Sequence, residues 1–133
     1  MILVDTSAWI EYDRASGSAA DLRLTEALDG GERLATMGVV LLELLAGAVD
    51  ERHADRLRRL LGRCRFLSLE EPSDHEAAAA LYRACRREGT TIRRLPDCLI
   101  AVVAIRTGAT LLHQDADFDG IARHVPLAVT ALG

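Results

Sequence analysis

The sequence predicts an α/β fold in which a central, mostly parallel sheet carries helices on both faces, making three layers. Two observations predict it. Short apolar runs of strand length, at residues 2–4, 34–36, 66–69, 110–112 and 127–129, alternate with longer segments of helical periodicity. The 133 residues also show no repeat, linker or shift in composition, so one domain over residues 1–133 is expected, with half its residues hydrophobic and able to form a core.

The first strand, Ile2, Leu3 and Val4, stops at an acid, Asp5. Thr6 and Ser7 follow as small hydroxyl residues suited to capping a helix, and Ala8, Trp9 and Ile10 suit its core face. Asp5 therefore sits at a strand-to-helix corner, where open α/β sheets bind ligands. Ser18 and Asp21 form a capping-box-like start for a helix with Leu24, Ala27 and Leu28 on one face, ended by Gly30 and Gly31. After the second strand, residues 38–46 are apolar except for Glu43. An ionised carboxylate in such surroundings costs several kcal/mol (roughly, after relaxation) unless it is paired, and the alternative is that Glu43 marks a solvent face.

Residues 51–61 form a charged amphipathic helix, with Ala54, Leu57 and Leu61 on one stripe and Arg52, Arg56, Arg59 and Arg63 on another. The basic stripe suits a solvated face on which Asp55 pairs with Arg59, ahead of a contact with phosphates or an acidic partner. After the third strand, Ser73 and Glu76 are expected to form a capping box for an Ala-rich helix through Arg87. Arg93 and Arg94 precede a helix opened by Pro96, apolar all round through Ile105 and closed by Gly108, with Asp97 in its first turn. The fourth strand leads into HQDADFD, where Asp115 is the first acid beyond the strand end and Asp117 follows two residues later.

Charge and cysteine usage narrow the function classes. A net charge of −4 argues against a broadly basic nucleic-acid-binding surface, although all sixteen basic residues are Arg, the side chain that grips phosphate with two donors. Three cysteines, odd in number and without paired spacing, argue against a disulfide framework or a zinc site and are expected as buried reduced thiols. Residues 37–49 are too short to span a bilayer and no basic region precedes the N-terminal apolar run, so a cytoplasmic protein with no membrane association is expected.

Right-handed crossovers place strands one and four side by side near the sheet centre, which brings Asp5 and Asp115 together with Glu43 and Asp97 arriving from helices. Carboxylates so close repel one another, and a divalent cation removes the conflict. All-oxygen donors select Mg²⁺, with Mn²⁺ as a substitute, over zinc.

The stretches MILVDTSAWIEY, VVLLELLAGA, LPDCLIAVVAI and LLHQDADFDGIA together resemble the motifs of PIN-domain ribonucleases, specifically VapC-type toxins of VapBC toxin–antitoxin systems. The resemblance spans nearly the whole chain. It implies a PIN-like three-layer α/β/α domain, a Mg²⁺-dependent endoribonuclease acting on RNA, a homodimer, and inhibition by a VapB-type antitoxin. The family's acidic quartet falls on Asp5, Glu43, Asp97 and Asp115, which would act as catalytic and metal-binding residues. Ser7 matches its hydroxyl position with Thr6 beside it, and Asp117 matches a frequent extra acid. His113 is a departure, standing where such toxins often carry Thr or Ser. Arg93 and Arg94 are the candidates for meeting RNA phosphates.

Receiver domains and haloacid-dehalogenase-type phosphatases share the acid-at-strand-end layout, but both resemblances call for a lysine and this chain has none. The remaining alternative is a PIN-like module that binds RNA or protein without cutting.

Overall fold

The computed structural model describes residues 1–130 and 132. Its elements run β1 (Ile2–Val4), α1 (Thr6–Asp13), α2 (Ala19–Asp29), β2 (Leu34–Met37), α3 (Gly38–Ala46), α4 (Glu51–Leu61), β3 (Arg65–Leu67), α5 (Ser73–Arg87), α6 (Leu95–Thr107), β4 (Thr110–Leu112) and α7 (Ala116–Ala122). The four strands are all parallel in the order β3-β2-β1-β4. Successive residues of a strand face opposite sides of a sheet, and Leu3, Val4, Leu111 and Leu112 are all fully buried. Both faces of β1 and β4 are therefore covered, as the three-layer expectation requires.

The chain builds outward from β1 to β2 and β3, then returns to add β4 on the other side of β1. The carboxyl ends of β1 and β4 thus flank the topological switch point, the crevice where open parallel sheets hold ligands. The pair is in register from Ile2 opposite Thr110 to Val4 opposite Leu112, and the Asp5 N–H donates to the Leu112 carbonyl at 2.9 Å. Asp5 and the chain leaving β4 are consequently held at the same level.

Several local expectations are corrected. Asp5 itself caps α1, its carboxylate accepting from the Ser7 N–H, so Thr6 and Ser7 lie inside the helix. Ser18 does cap α2, as expected. Ser73 is the first residue of α5 and Pro72 occupies the cap, so the predicted capping box does not form. Residues 127–129 form a single parallel bridge, Val129 to Leu111, in place of a strand. The Leu127 N–H there donates to Val125 O at 2.8 Å, a tight turn that brings the segment into line with β4 only at its end. On α4, Asp55 pairs with Arg58 rather than Arg59, while Arg56 and His53 reach across to Asp13 of α1 at 2.5 and 2.8 Å. No helix among the described residues is long and apolar enough to cross a membrane.

The central helix α6 ends at Gly108, whose φ of 70° is the left-handed conformation that glycine adopts without a Cβ clash. Two residues earlier Arg106 donates to both oxygens of Asp74 at 3.0 and 2.8 Å and to the Ser68 carbonyl at 2.9 Å. Asp74 is 2% exposed and also accepts from the Glu70 N–H at 2.9 Å. The Arg106 hydrogen bonds hold its carboxyl below the ordinary carboxylate value of 3.8. A group so depressed contributes stability above its unfolded value and loses it as pH falls through the folded one. Arg106→Met, which strands the buried carboxylate, is expected to lower stability by about 2 kcal/mol at pH 7 and by much less near pH 3, measured by urea titration at the two pH values.

Candidate metal and active site

Each acid at the switch point is placed by a different local device. Asp5 is 3% exposed, and its Oδ2 accepts from the Ser7 N–H at 2.9 Å and from the Ser7 hydroxyl at 2.5 Å. The same hydroxyl oxygen accepts from the Gln114 N–H at 2.9 Å, joining the exit of β1 to the exit of β4. Burial raises the Asp5 carboxyl above its ordinary value, the hydrogen bonds from Ser7 and Thr6 oppose this, and the neighbouring charge of Asp115 adds to it.

Asp115 caps α7, its Oδ1 accepting from the Asp117 N–H at 2.9 Å. His113 fixes the turn before it: Nδ1 accepts from the Asp115 N–H at 3.1 Å, which places the ring proton on Nε2, 3.5 Å from Asp119. The ring also lies against Phe118. The residue that departs from the family pattern thus supports the backbone of Asp115.

Asp97 lies in the first turn of α6 and is 1% exposed. Its Oδ2 is buried with no hydrogen-bond partner. Burial pushes its carboxyl up to about 7, the Asp5 charge adds to this, Arg94 opposes it, and Asp115 and Asp117 contribute further in the upward direction. Asp97, Asp115 and Asp117 each offer a ligand atom, and these atoms all lie within 4.8 Å of one another. The tightest set therefore includes Asp117, which the sequence placed in a supporting role. Asp5 borders the set, close enough for its charge to act on Asp97.

Glu43 turns toward the site rather than to open solvent, with its side chain 20% exposed. Its Oε1 accepts from the Thr6 hydroxyl at 2.9 Å, and its Oε2 is paired with Arg94. The isolated acid of α3 is thus compensated, and the uncompensated one is Asp97. Arg93 is likewise occupied: its backbone N–H and Nε donate to Asp117 Oδ2 at 3.1 and 3.2 Å, and its terminal nitrogen donates to Asp115 Oδ1 at 3.1 Å. The sequence identified both arginines but not these partners. The signal available was their position next to a group of like charges that needs counter-ions.

An all-carboxylate donor set with an unsatisfied buried oxygen fits a hard divalent cation. A parallel α/β sheet with such a set at its switch point defines a class of protein able to hold a divalent metal ion there. Residues 2–124 match the PIN domain, and the chain belongs to that family. It is 47% identical to Ribonuclease VapC11 of Mycobacterium tuberculosis over 124 residues, covering 92% of each chain. Its fold is similar to that of a chain in VapBC2 from Rickettsia felis, with a TM-score of 0.77, 22% identity and 98% of both chains covered. A chain of VapBC-1 from nontypeable Haemophilus influenzae gives a TM-score of 0.75 at 22% identity, covering 99% of this chain and 98% of that one.

Because Asp97 is raised from its usual 3.8 to about 7, the folded state binds its proton more tightly than the unfolded state does. Stability without metal is therefore greatest at low pH within this window and is lost as pH rises from about 4 to about 7. In EDTA the melting temperature is expected to be higher at pH 6 than at pH 8. Asp97→Asn should flatten that dependence and stabilise the metal-free protein at pH 8 by on the order of 2 kcal/mol, as read by calorimetry.

Proposed function

We propose that this chain, acting as a single domain over residues 1–133, is a magnesium-dependent endoribonuclease and the toxin of a VapBC-type pair. The observation that carries the reading is the buried, unsatisfied oxygen of Asp97 within 4.8 Å of ligand atoms on Asp115 and Asp117. The likeness to a ribonuclease over 92% of each chain supports the choice of RNA. Asp5, Glu43, Asp97 and Asp115 are the residues assigned to the cation and to catalysis, with Asp117 beside them. Mg²⁺ is preferred on the hardness of the donors, with Mn²⁺ as a substitute.

When bound, a divalent cation supplies Lewis acidity toward the phosphodiester and makes water a competent nucleophile near neutral pH. The protein's own contribution is positional. Ser7 fixes the Asp5 carboxylate and ties it to the Gln114 backbone, while Thr6 fixes one Glu43 oxygen. No side chain at the site is required as a nucleophile. Arg93 and Arg94 are the candidates for meeting RNA phosphates, and single-stranded or looped RNA is the preferred substrate because its bases can be splayed out. The protein acts in the cytoplasm as a homodimer held inactive by a VapB-type antitoxin.

The test is EDTA-sensitive cleavage of RNA by the purified protein. Asp5→Asn, Asp97→Asn and Asp115→Asn are each expected to lower it at least a hundredfold while the proteins still melt cooperatively. Asp117→Asn is expected to cost about tenfold, mainly through weaker Mg²⁺ binding. Expression of the wild type should arrest growth and expression of Asp5→Asn should not. Cleavage that survives EDTA, or an active Asp97→Asn, would overturn the reading; a metal-binding protein that cuts no RNA would favour a non-catalytic PIN-like module.

A further inference from the structure

Two consecutive arginines, on the short segment between α5 and α6, pair with different acids of the site. Arg93 bridges Asp115 and Asp117, and Arg94 takes Glu43. Asp97, in the first turn of the helix that follows, keeps its unpartnered oxygen. The Arg93 side chain is 70% exposed and that of Arg94 46%, so each guanidinium has open solvent beside it and can leave without disturbing the core. The segment from Thr90 to Arg94 has no regular secondary structure that would resist such a change.

We propose that Arg93 and Arg94 are exchangeable counter-ions of the site, displaced from Asp115, Asp117 and Glu43 when a divalent cation binds, and that the freed guanidinium groups then take the phosphates of the RNA substrate. The proposal rests on the reading of the cluster as a metal site. Its physical basis is competition for the same carboxylates. Asp115 and Asp117, whose oxygens accept from the Arg93 guanidinium, are two of the three residues whose ligand atoms lie within 4.8 Å of one another. A cation that takes these oxygens leaves the guanidinium beside a positive centre, where it is repelled toward solvent. Arg is suited to the second half of the exchange because its planar fork matches phosphate as well as carboxylate. The arrangement makes metal binding and substrate binding mutually supporting, since the group released by the first is the ligand for the second.

The experiment uses the full chain stripped of metal, as wild type, Arg93→Gln, Arg94→Gln and the double variant, with melting in EDTA confirming that each is folded. Calorimetric titration with Mn²⁺ in the absence of RNA is expected to show about threefold tighter binding for Arg93→Gln and about tenfold for the double variant, the scale of exposed ion pairs removed as competitors. The Arg93 Nε–H signal in a ¹H–¹⁵N spectrum, assigned by its loss in Arg93→Gln, should move and exchange faster with water as Mg²⁺ is added. The KM for RNA should rise about tenfold in the double variant with kcat changed less than threefold. Unchanged or weaker Mn²⁺ binding by Arg93→Gln, or an Arg93 signal that stays put at saturating Mg²⁺, overturns the exchange. Equal binding by all four proteins removes the exchange but leaves the metal site standing; binding by none removes both.

Discussion

Several carboxylates share one small volume at the switch point of the sheet, and much of the surrounding structure answers that electrostatic constraint. Like charges a few ångströms apart in a partly dry site cannot all ionise without compensation. The protein distributes the compensation unevenly. Asp5 has the hydroxyl and amide of Ser7, Asp115 has the helix it caps and Arg93, Asp117 has Arg93, and Glu43 has Thr6 and Arg94. Asp97 keeps one oxygen with nothing to bond to, and it is the residue whose proton affinity moves most visibly.

That unevenness separates the structural part of the site from the part open to a ligand. Groups that must be present in both metal-free and loaded states are tied to backbone: Ser7 to Gln114, His113 to the Asp115 amide, Asp5 to the carbonyl of Leu112. Asp115, Asp117 and Glu43 are held by exposed arginine side chains on an irregular segment, with the Arg93 backbone N–H as a further donor to Asp117. The division follows from cost, because a backbone hydrogen bond lost inside the crevice leaves an unpaired polar group, whereas a solvent-facing guanidinium returns to water.

How much of this was legible in the sequence depends on range. Asp5 at a strand end and Asp115 beyond another are visible because strand periodicity and parallel topology are dictated locally, and the β1–β4 pairing then brings the two ends level. Glu43 and Asp97 are visible as lone acids in apolar helices. The partners of these acids are not legible, since a choice between Arg59 and Arg58 for Asp55, or between RNA and Glu43 for Arg94, turns on side-chain reach across elements. The closeness of Asp117 to Asp97 is not legible for a related reason: it depends on the turn that begins α7, which residue spacing alone does not reveal. The missing capping box at Ser73 and the single bridge at Val129 are failures of local rules at places where a proline or a tight turn intervenes.

The central helix α6 carries Asp97 in its first turn and Arg106 in its last. At a rise of 1.5 Å per residue, these two positions are separated by about 13 Å of rigid rod. Arg106 anchors the far end to Asp74, Glu70 and the Ser68 carbonyl, so the helix is a strut whose footing lies outside the crevice. A pivot of about 5° at the footing would sweep Asp97 sideways by about 1 Å, a displacement large enough to cost a catalytic site on the order of a hundredfold. The alignment of the deepest acid is in this sense a property of an ion pair it never touches, and sequence drift around Asp74 and Arg106 carries a cost in geometry as well as in stability.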